Sequence, residues 1–140
     1  MAFYNKPLSY CLQQPIIGQQ VHLEDTEFVL IEADAQSAAL RPIVALITDI
    51  AATDSRDTYN AFISAITKGG ILIYNEEDTT LSSIVEANEN PIRKMEYHTP
   101  DFETHNDEIY LITPEGDLPL GKLSAASVGY IEAAKWVCQN

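Results

Sequence analysis

The sequence is poor in positive charge. Eight Lys and Arg stand against 21 Asp and Glu, for a formal charge of −13 and a pI near 4.3. The bases are scattered, with Arg93-Lys94 the only adjacent pair. Phosphate-rich surfaces are held by clustered Lys and Arg, so the composition argues against a nucleic-acid or anionic-membrane partner. Cysteine is scarce as well. Cys11 and Cys138 sit at opposite ends and cannot build the disulfide framework of a small secreted domain, which points to a reduced, cytosolic setting. No apolar run approaches the roughly 20 residues of a membrane span. The opening MAFYNKPLSYC has neither the basic nor the apolar region of a signal peptide, so a soluble, cytoplasmic protein is expected. There is no G-x-S-x-G elbow and neither Cys is flanked by His, which leaves nucleophilic catalysis little support. Internal repeats and low-complexity linkers are missing too.

What is present suits one globular domain: 140 residues, 46% of them apolar. Two short Val/Ile-rich runs, residues 28–31 and 43–48, predict fully buried strands of the kind found in parallel sheets. In TDSRDTYNAFISAITKGG, the residues Tyr59, Phe62, Ile63 and Ile66 form one helical stripe. Asp54, Ser55 and Asp57 are candidate caps, and Gly69-Gly70 the stop. Ile71–Tyr74 predicts a strand ending at Asn75, and Asp78-Thr79-Thr80 caps a helix with Leu81, Ile84 and Val85 on one face. Residues 92–97 and 108–113 predict two strands joined by the polar stretch HTPDFETHND. SAASVGYIEAAKWVCQN predicts a closing helix with Ala126, Tyr130, Ala133 and Val137 on its apolar face. Such alternation implies βαβ units and a mostly parallel sheet between helices.

Three constellations carry chemistry. Glu32, Asp34, Asp49 and Asn75 all follow strands, at the carboxyl edge where α/β sheets bind ligands. Oxygens there can hold Mg²⁺, or simply cap the next turn. Gly116–Lys122 (GDLPLGK) matches G-x-x-x-x-G-K. A phosphate loop then needs Ser or Thr, whereas Leu123 follows here and Pro119 removes a donor from the cradle. His98, Asp101, Glu103, His105, Asp107 and Glu108 mix two His with four acids but match no compact ligand set.

Taken together, IEADAQSAAL, ITDI…DTYNAF, KGGILIYNEEDTTLSSIV and LPLGKLSAASVGYIEAAK keep one order and spacing. They resemble the central nucleotide-binding domain of the Mur ligase family, especially the UDP-N-acetylmuramate–alanine ligase branch. The resemblance covers about residues 24–138, with 1–23 as an N-terminal covering segment of a single truncated domain. It implies a three-layer α/β fold and an ATP-dependent chemistry in which a carboxylate becomes an acyl phosphate that an amine attacks. Glu32 would be the residual metal-binding residue, and Asn75 and Asp78 residual nucleotide-binding residues. The family's G-x-x-G-K-[ST] loop precedes these segments and has no counterpart here. At its DH motif stands ATDSRD, with Asp54 or Ser55 near the lost His, and its HN-x-x-N around the adenine is replaced by Leu123, Ser124 and Ser127. The expectation is therefore a domain that has lost catalysis, has no catalytic residue, and acts as a binding or interaction module. It would form a homo-oligomer or dock on a protein partner. No cofactor is expected, with Mg²⁺ and ATP reserved for a retained family site. Two alternatives stand beside it: a peptidoglycan-precursor ligase working with a partner that supplies the phosphate loop, and a nucleotide or UDP-sugar sensor.

Overall fold

The computed structural model describes residues 2–3, 6–7, 9–16, 19–23, 25–27, 29–34, 37–51 and 53–139. Phe28, expected to open the first strand, and parts of the 1–23 segment lie outside the described residues. The chain forms two compact units, residues 1–37 and 38–140. It is mixed α/β, with three α-helices among the described residues.

The first unit contains β1 (Ala2–Phe3) paired antiparallel with β2 (Lys6–Pro7). Strand β3 (Ser9–Ile16) makes an antiparallel hairpin with β4 (Gln19–His22). On its other side it pairs in parallel with β5 (Val29–Ile31), Tyr10 opposite Leu30. Ser9 is buried and its hydroxyl shares a 2.8 Å hydrogen bond with that of Thr26, while the ring of Tyr10 stacks on His22 at 5.4 Å. The expected full burial of the first apolar run is not observed. Val29, Leu30 and Ile31 are 52%, 47% and 44% exposed. A short apolar run marks a strand but says nothing about what covers its two faces.

The second unit is built on an all-parallel sheet in the order β6 (Val44–Ile47), β7 (Ile71–Asn75), β8 (Arg93–Tyr97). Helix α1 (Arg56–Ala65) joins β6 to β7, and α2 (Thr79–Ala87) joins β7 to β8, as parallel neighbours require. Ser55 caps α1 by accepting from the Thr58 N–H. The side-chain amide of Asn90 donates to the Ile63 and Ile66 carbonyls at 2.9 Å each, adding to the Ile66 N–H bond that Ile63 already accepts. The helix ends at Ala65, ahead of the expected Gly69-Gly70 stop. These glycines serve the turn into β7 instead: Gly69 has φ +79°, and Gly70 packs against backbone.

Parallel partners share a face, so the register sorts the side chains. Ala45, Ile47, Leu72 and Tyr74 form one face, while Val44, Leu46, Ile71, Ile73, Met95 and Tyr97 form the other. Leu72, Leu81, Val85 and Ile63 are fully buried on the side of α1 and α2. Helix α3 (Ala125–Gln139) covers the opposite face, where Ile73, Tyr97 and Ala133 are buried with Ile71, Met95, Trp136 and Val137 packed around them. Its buried face includes Val128 and Ala133, whereas Ala126 and Tyr130, expected there, are exposed. The second apolar run is likewise buried on one side only: Ala45 and Ile47 are covered, while Val44 and Leu46 remain exposed. As the edge strand of its sheet, β6 is only partly reached by α3.

The stretch expected to be a polar connection holds a strand. In the antiparallel order β11-β10-β9, β9 (Phe102–His105) turns through Asn106-Asp107 into β10 (Glu108–Leu111), which pairs with β11 (Leu118–Gly121). Asn106 and Asp107 have φ +53° and +64°, the left-handed pair that tight two-residue hairpins need.

Gly70 gives the sharpest stability test. A Cβ there would lie 2.5 Å from the Ile43 carbonyl and 2.7 Å from that of Thr67, both backbone atoms. Urea unfolding of Gly70→Ala is expected to show a loss of about 2–3 kcal/mol, at the upper end of ordinary single substitutions. Wild-type stability in that variant would refute this packing.

Candidate functional site

Two clefts open where the parallel strands end. The first, of about 200 Å³, is lined by Thr48, Asp49, Asn75, Tyr97, Thr99, Ala126, Gly129 and Tyr130. Register explains its floor. Asn75 lies opposite Tyr97, and Thr48 follows Ile47, the partner of Tyr74, so the three form one row at the carboxyl ends of β6, β7 and β8. The wall opposite is the Ala126–Gly129–Tyr130 stripe of α3. Gly129, a weak residue for a helix interior, is explained by close approach: a Cβ there would meet the Thr99 hydroxyl at 3.1 Å. Thr99 is held in turn by Glu77, whose carboxylate accepts from the Thr99 hydroxyl at 2.7 Å and from its N–H at 3.3 Å.

The second cleft, of about 190 Å³, is lined by Ile50, Ala51, Asp54, Arg56, Asp78 and Thr80. Asp78 dominates it. One carboxylate oxygen accepts from the N–H groups of Thr80 and Leu81 at 3.0 and 2.9 Å, capping α2. The other accepts from the Ile50 N–H at 3.0 Å. A carboxylate has about four acceptor positions, so three are used by the fold itself. Asp54 accepts from the Tyr59 hydroxyl at 3.1 Å, and Arg56 donates to Ser83 at 2.7 Å.

The residues singled out in the sequence are therefore divided. Asp49 and Asn75 come together in the first cleft, while Asp78 stands in the second. Asn75 uses its amide oxygen to accept from the Glu77 N–H, stabilising its own turn. Glu32 and Asp34 follow β5 in the first unit. The Glu32 N–H donates to the Cys11 carbonyl, and Asp34 accepts from the Ser37 hydroxyl. The two histidines belong to separate pairs, His98 with Glu76 at 3.2 Å and His105 with Glu103 at 2.8 Å. Among the described residues no three His, Cys, Asp or Glu side chains converge as a metal-holding group. GDLPLGK is not a loop: Leu118–Gly121 is β11, its backbone paired with β10. The α3 terminus carries its own cap, with the Ser124 hydroxyl accepting from the Ser127 N–H.

Tyr97 is the residue that sequence reasoning missed. It is 2% exposed, and burial pushes its phenol up from 10.0 to about 12, with the charges of Asp49, Tyr130 and Glu77 adding to the shift. Its one signal in the sequence was a position at the end of the strand expected over 92–97.

No protein-family model and no curated protein matches the chain. Among solved structures, a point mutant of the L. casei folylpolyglutamate synthetase matches with a TM-score of 0.55 and 13% identity. The match covers 79% of this chain and 33% of that one. The fold is similar to part of that structure. Folylpolyglutamate synthetase is a Mur-ligase-family member, and at this identity the likeness is one of fold alone. A folylpolyglutamate synthetase–AMPPCP complex matches at TM-score 0.45 and 16% identity, over 71% of this chain and 30% of that one. The chain thus spans about a third of the length of these ligase-like structures.

Two predictions follow from the geometry. Asp78→Ala is expected to cost about 1–2 kcal/mol through loss of the α2 cap alone, with Asp78→Asn milder because it keeps an acceptor oxygen. Equal stability of both variants and wild type in urea would show that the three bonds contribute nothing. Tyr97 makes a prediction at alkaline pH. Its folded-state pKa is raised above the unfolded value, so its contribution is full below pH 10.0 and is lost as the pH rises through about 12. Stability measured across that window should fall less steeply in Tyr97→Phe, while Tyr59 and Tyr74, also raised chiefly by burial, keep part of the slope.

Proposed function

We propose that the chain is a Mur-ligase-like domain, three-layered with a mostly parallel sheet between helices, that has lost catalysis and serves as a binding or interaction module in the cytoplasm. The observation that carries this reading is the use of Asp78. Its carboxylate is committed to the backbone N–H groups of Ile50, Thr80 and Leu81, which leaves little of it for a metal or a phosphate-bound cation. The same pattern recurs at Ser55 and Ser124, which the resemblance places near the lost metal and adenine motifs, and the separate lysine-ended glycine motif is also used by the fold. Ser55 caps α1, Ser124 caps α3, and the lysine-ended glycine motif enters a strand. Helix N-termini attract phosphate through unsatisfied N–H groups, and these termini meet part of that need with their own side chains.

Mg²⁺·ATP therefore fits this arrangement poorly. Phosphoryl transfer depends on positioning and charge neutralisation, and Glu32, Asn75 and Asp78 are a thin remnant for both. The exposed apolar side chains of Val29, Leu30 and Ile31, and separately of Ile43, Val44 and Leu46, support a protein-facing role, as a homo-oligomer or with a partner. A small-molecule role gains support from the first cleft alone.

The test is calorimetric titration with ATP and Mg²⁺ alongside a hydrolysis assay, with the oligomeric mass recorded on the same sample. We expect a folded protein without Mg²⁺-dependent turnover. Hydrolysis that disappears in Glu32→Ala would overturn the reading and restore the ligase alternative.

A further inference from the structure

The first cleft contains a hydroxyl that no described residue satisfies. Tyr97 is almost wholly buried, yet among the described residues its hydroxyl has no hydrogen-bond partner and the side chain lines the cleft. No buried side-chain oxygen or nitrogen is left unpaired among these residues, so this hydroxyl opens into the cleft. A buried phenol normally finds a partner. Here no described residue supplies one, and the hydroxyl is open to a partner that enters the cleft.

The surroundings define its charge. Thr48, Asp49, Asn75, Thr99 and Tyr130 supply oxygen-bearing side chains, and no Lys, Arg or His lines the cleft. Asp49 accepts a 3.0 Å bond from Thr48 through one carboxylate oxygen and lines the cleft. The charges of Asp49 and Glu77 that disfavour a phenolate at Tyr97 favour a cation beside it. An anion would face Asp49 directly, and α3 presents the side of its first two turns rather than its open end. Tyr130, 53% exposed, adds aromatic surface at the same cleft, and aromatic faces attract guanidinium groups in particular. The volume, about 200 Å³, is below the roughly 300–1,000 Å³ of pockets for drug-sized ligands and suits one head group with part of its stem.

We propose that this cleft binds a guanidinium group, donating to Asp49 and to the Tyr97 oxygen against Tyr130. The inference rests on the binding-module reading and gives its partner a chemistry: a basic side chain meeting a chain of net charge −13. A peptide arginine and a free small guanidine share that chemistry.

The experiment is an amide-resolved NMR titration of the whole chain with N-acetyl-arginine methylamide and with its citrulline counterpart, which keeps the shape and removes the charge. The arginine probe is expected to shift the amides of Asn75, Tyr97, Ala126 and Gly129, with citrulline binding about tenfold more weakly. Asp49→Asn should weaken the arginine probe by a similar factor. Tyr97→Phe, which preserves the packed ring, should weaken it several-fold without altering the spectrum elsewhere. Agmatine and an arginine-containing hexapeptide then separate the sources: tighter peptide binding assigns the group to a protein partner, and equal binding to a free guanidine. Equal shifts from the arginine and citrulline probes would overturn the proposal, as would shifts confined to other amides or wild-type affinity in Asp49→Asn. Hydrolysis of ATP would count against the non-catalytic reading instead. A protein that neither hydrolyses ATP nor responds to the arginine probe would refute this inference alone.

Discussion

One carboxylate holds the working end of the second unit together. Asp78 reaches from the start of α2 back to the Ile50 N–H and so ties the exit of one parallel strand to the helix that follows the next. Without that tie the segment after β6 would have an unpaired donor and α2 an open first turn. Around it the other contacts of this edge fall into place: Glu77 fastens Thr99, Glu76 pairs with His98, and Asn75 closes its own turn. Of the acids at this edge, Asp78 and Glu77 accept backbone N–H bonds, while Asp49, Asp54 and Glu76 meet side chains.

The same fact bears on function. In α/β folds, strand ends and helix N-termini bind phosphate through donors that are free to meet it. In this chain Ser55, Asp78 and Ser124 supply oxygen to those donors from within. Internal capping stabilises the helices and competes with an incoming anion for the same groups.

Much of the second unit was legible in the sequence because its signals are periodic. Tyr59 and Ile63 of the expected stripe and the face Leu81–Ile84–Val85 are buried as the 3.6-residue period requires, Phe62 is half-buried, and Ile71–Asn75 is the central strand. Strands β9 and β11 were illegible for the opposite reason. Phe-Glu-Thr-His is polar and short, and Leu-Pro-Leu-Gly contains a proline, which edge strands tolerate. In the site, Asp49 and Asn75 could be placed at a sheet edge from strand ends alone. Tyr97 and Tyr130 could not, since their meeting depends on the β7–β8 register and on which stripe of α3 faces the sheet. Burial of β5 and β6 was misjudged because apolar runs report strand preference without reporting coverage.

The crossover connections of the parallel sheet also shape how the chain reaches this structure. Each strand of β6-β7-β8 is separated from its neighbour by a whole helix, so no pair can zip from a local turn. The meander around Asn106-Asp107 closes over two residues. Loop closure over such different lengths separates the two events in time: hairpin formation is early and local, and the parallel sheet sets the pace of folding. Until that sheet has formed and α3 has docked on it, the first cleft does not exist, so the cleft belongs to the last stage of assembly.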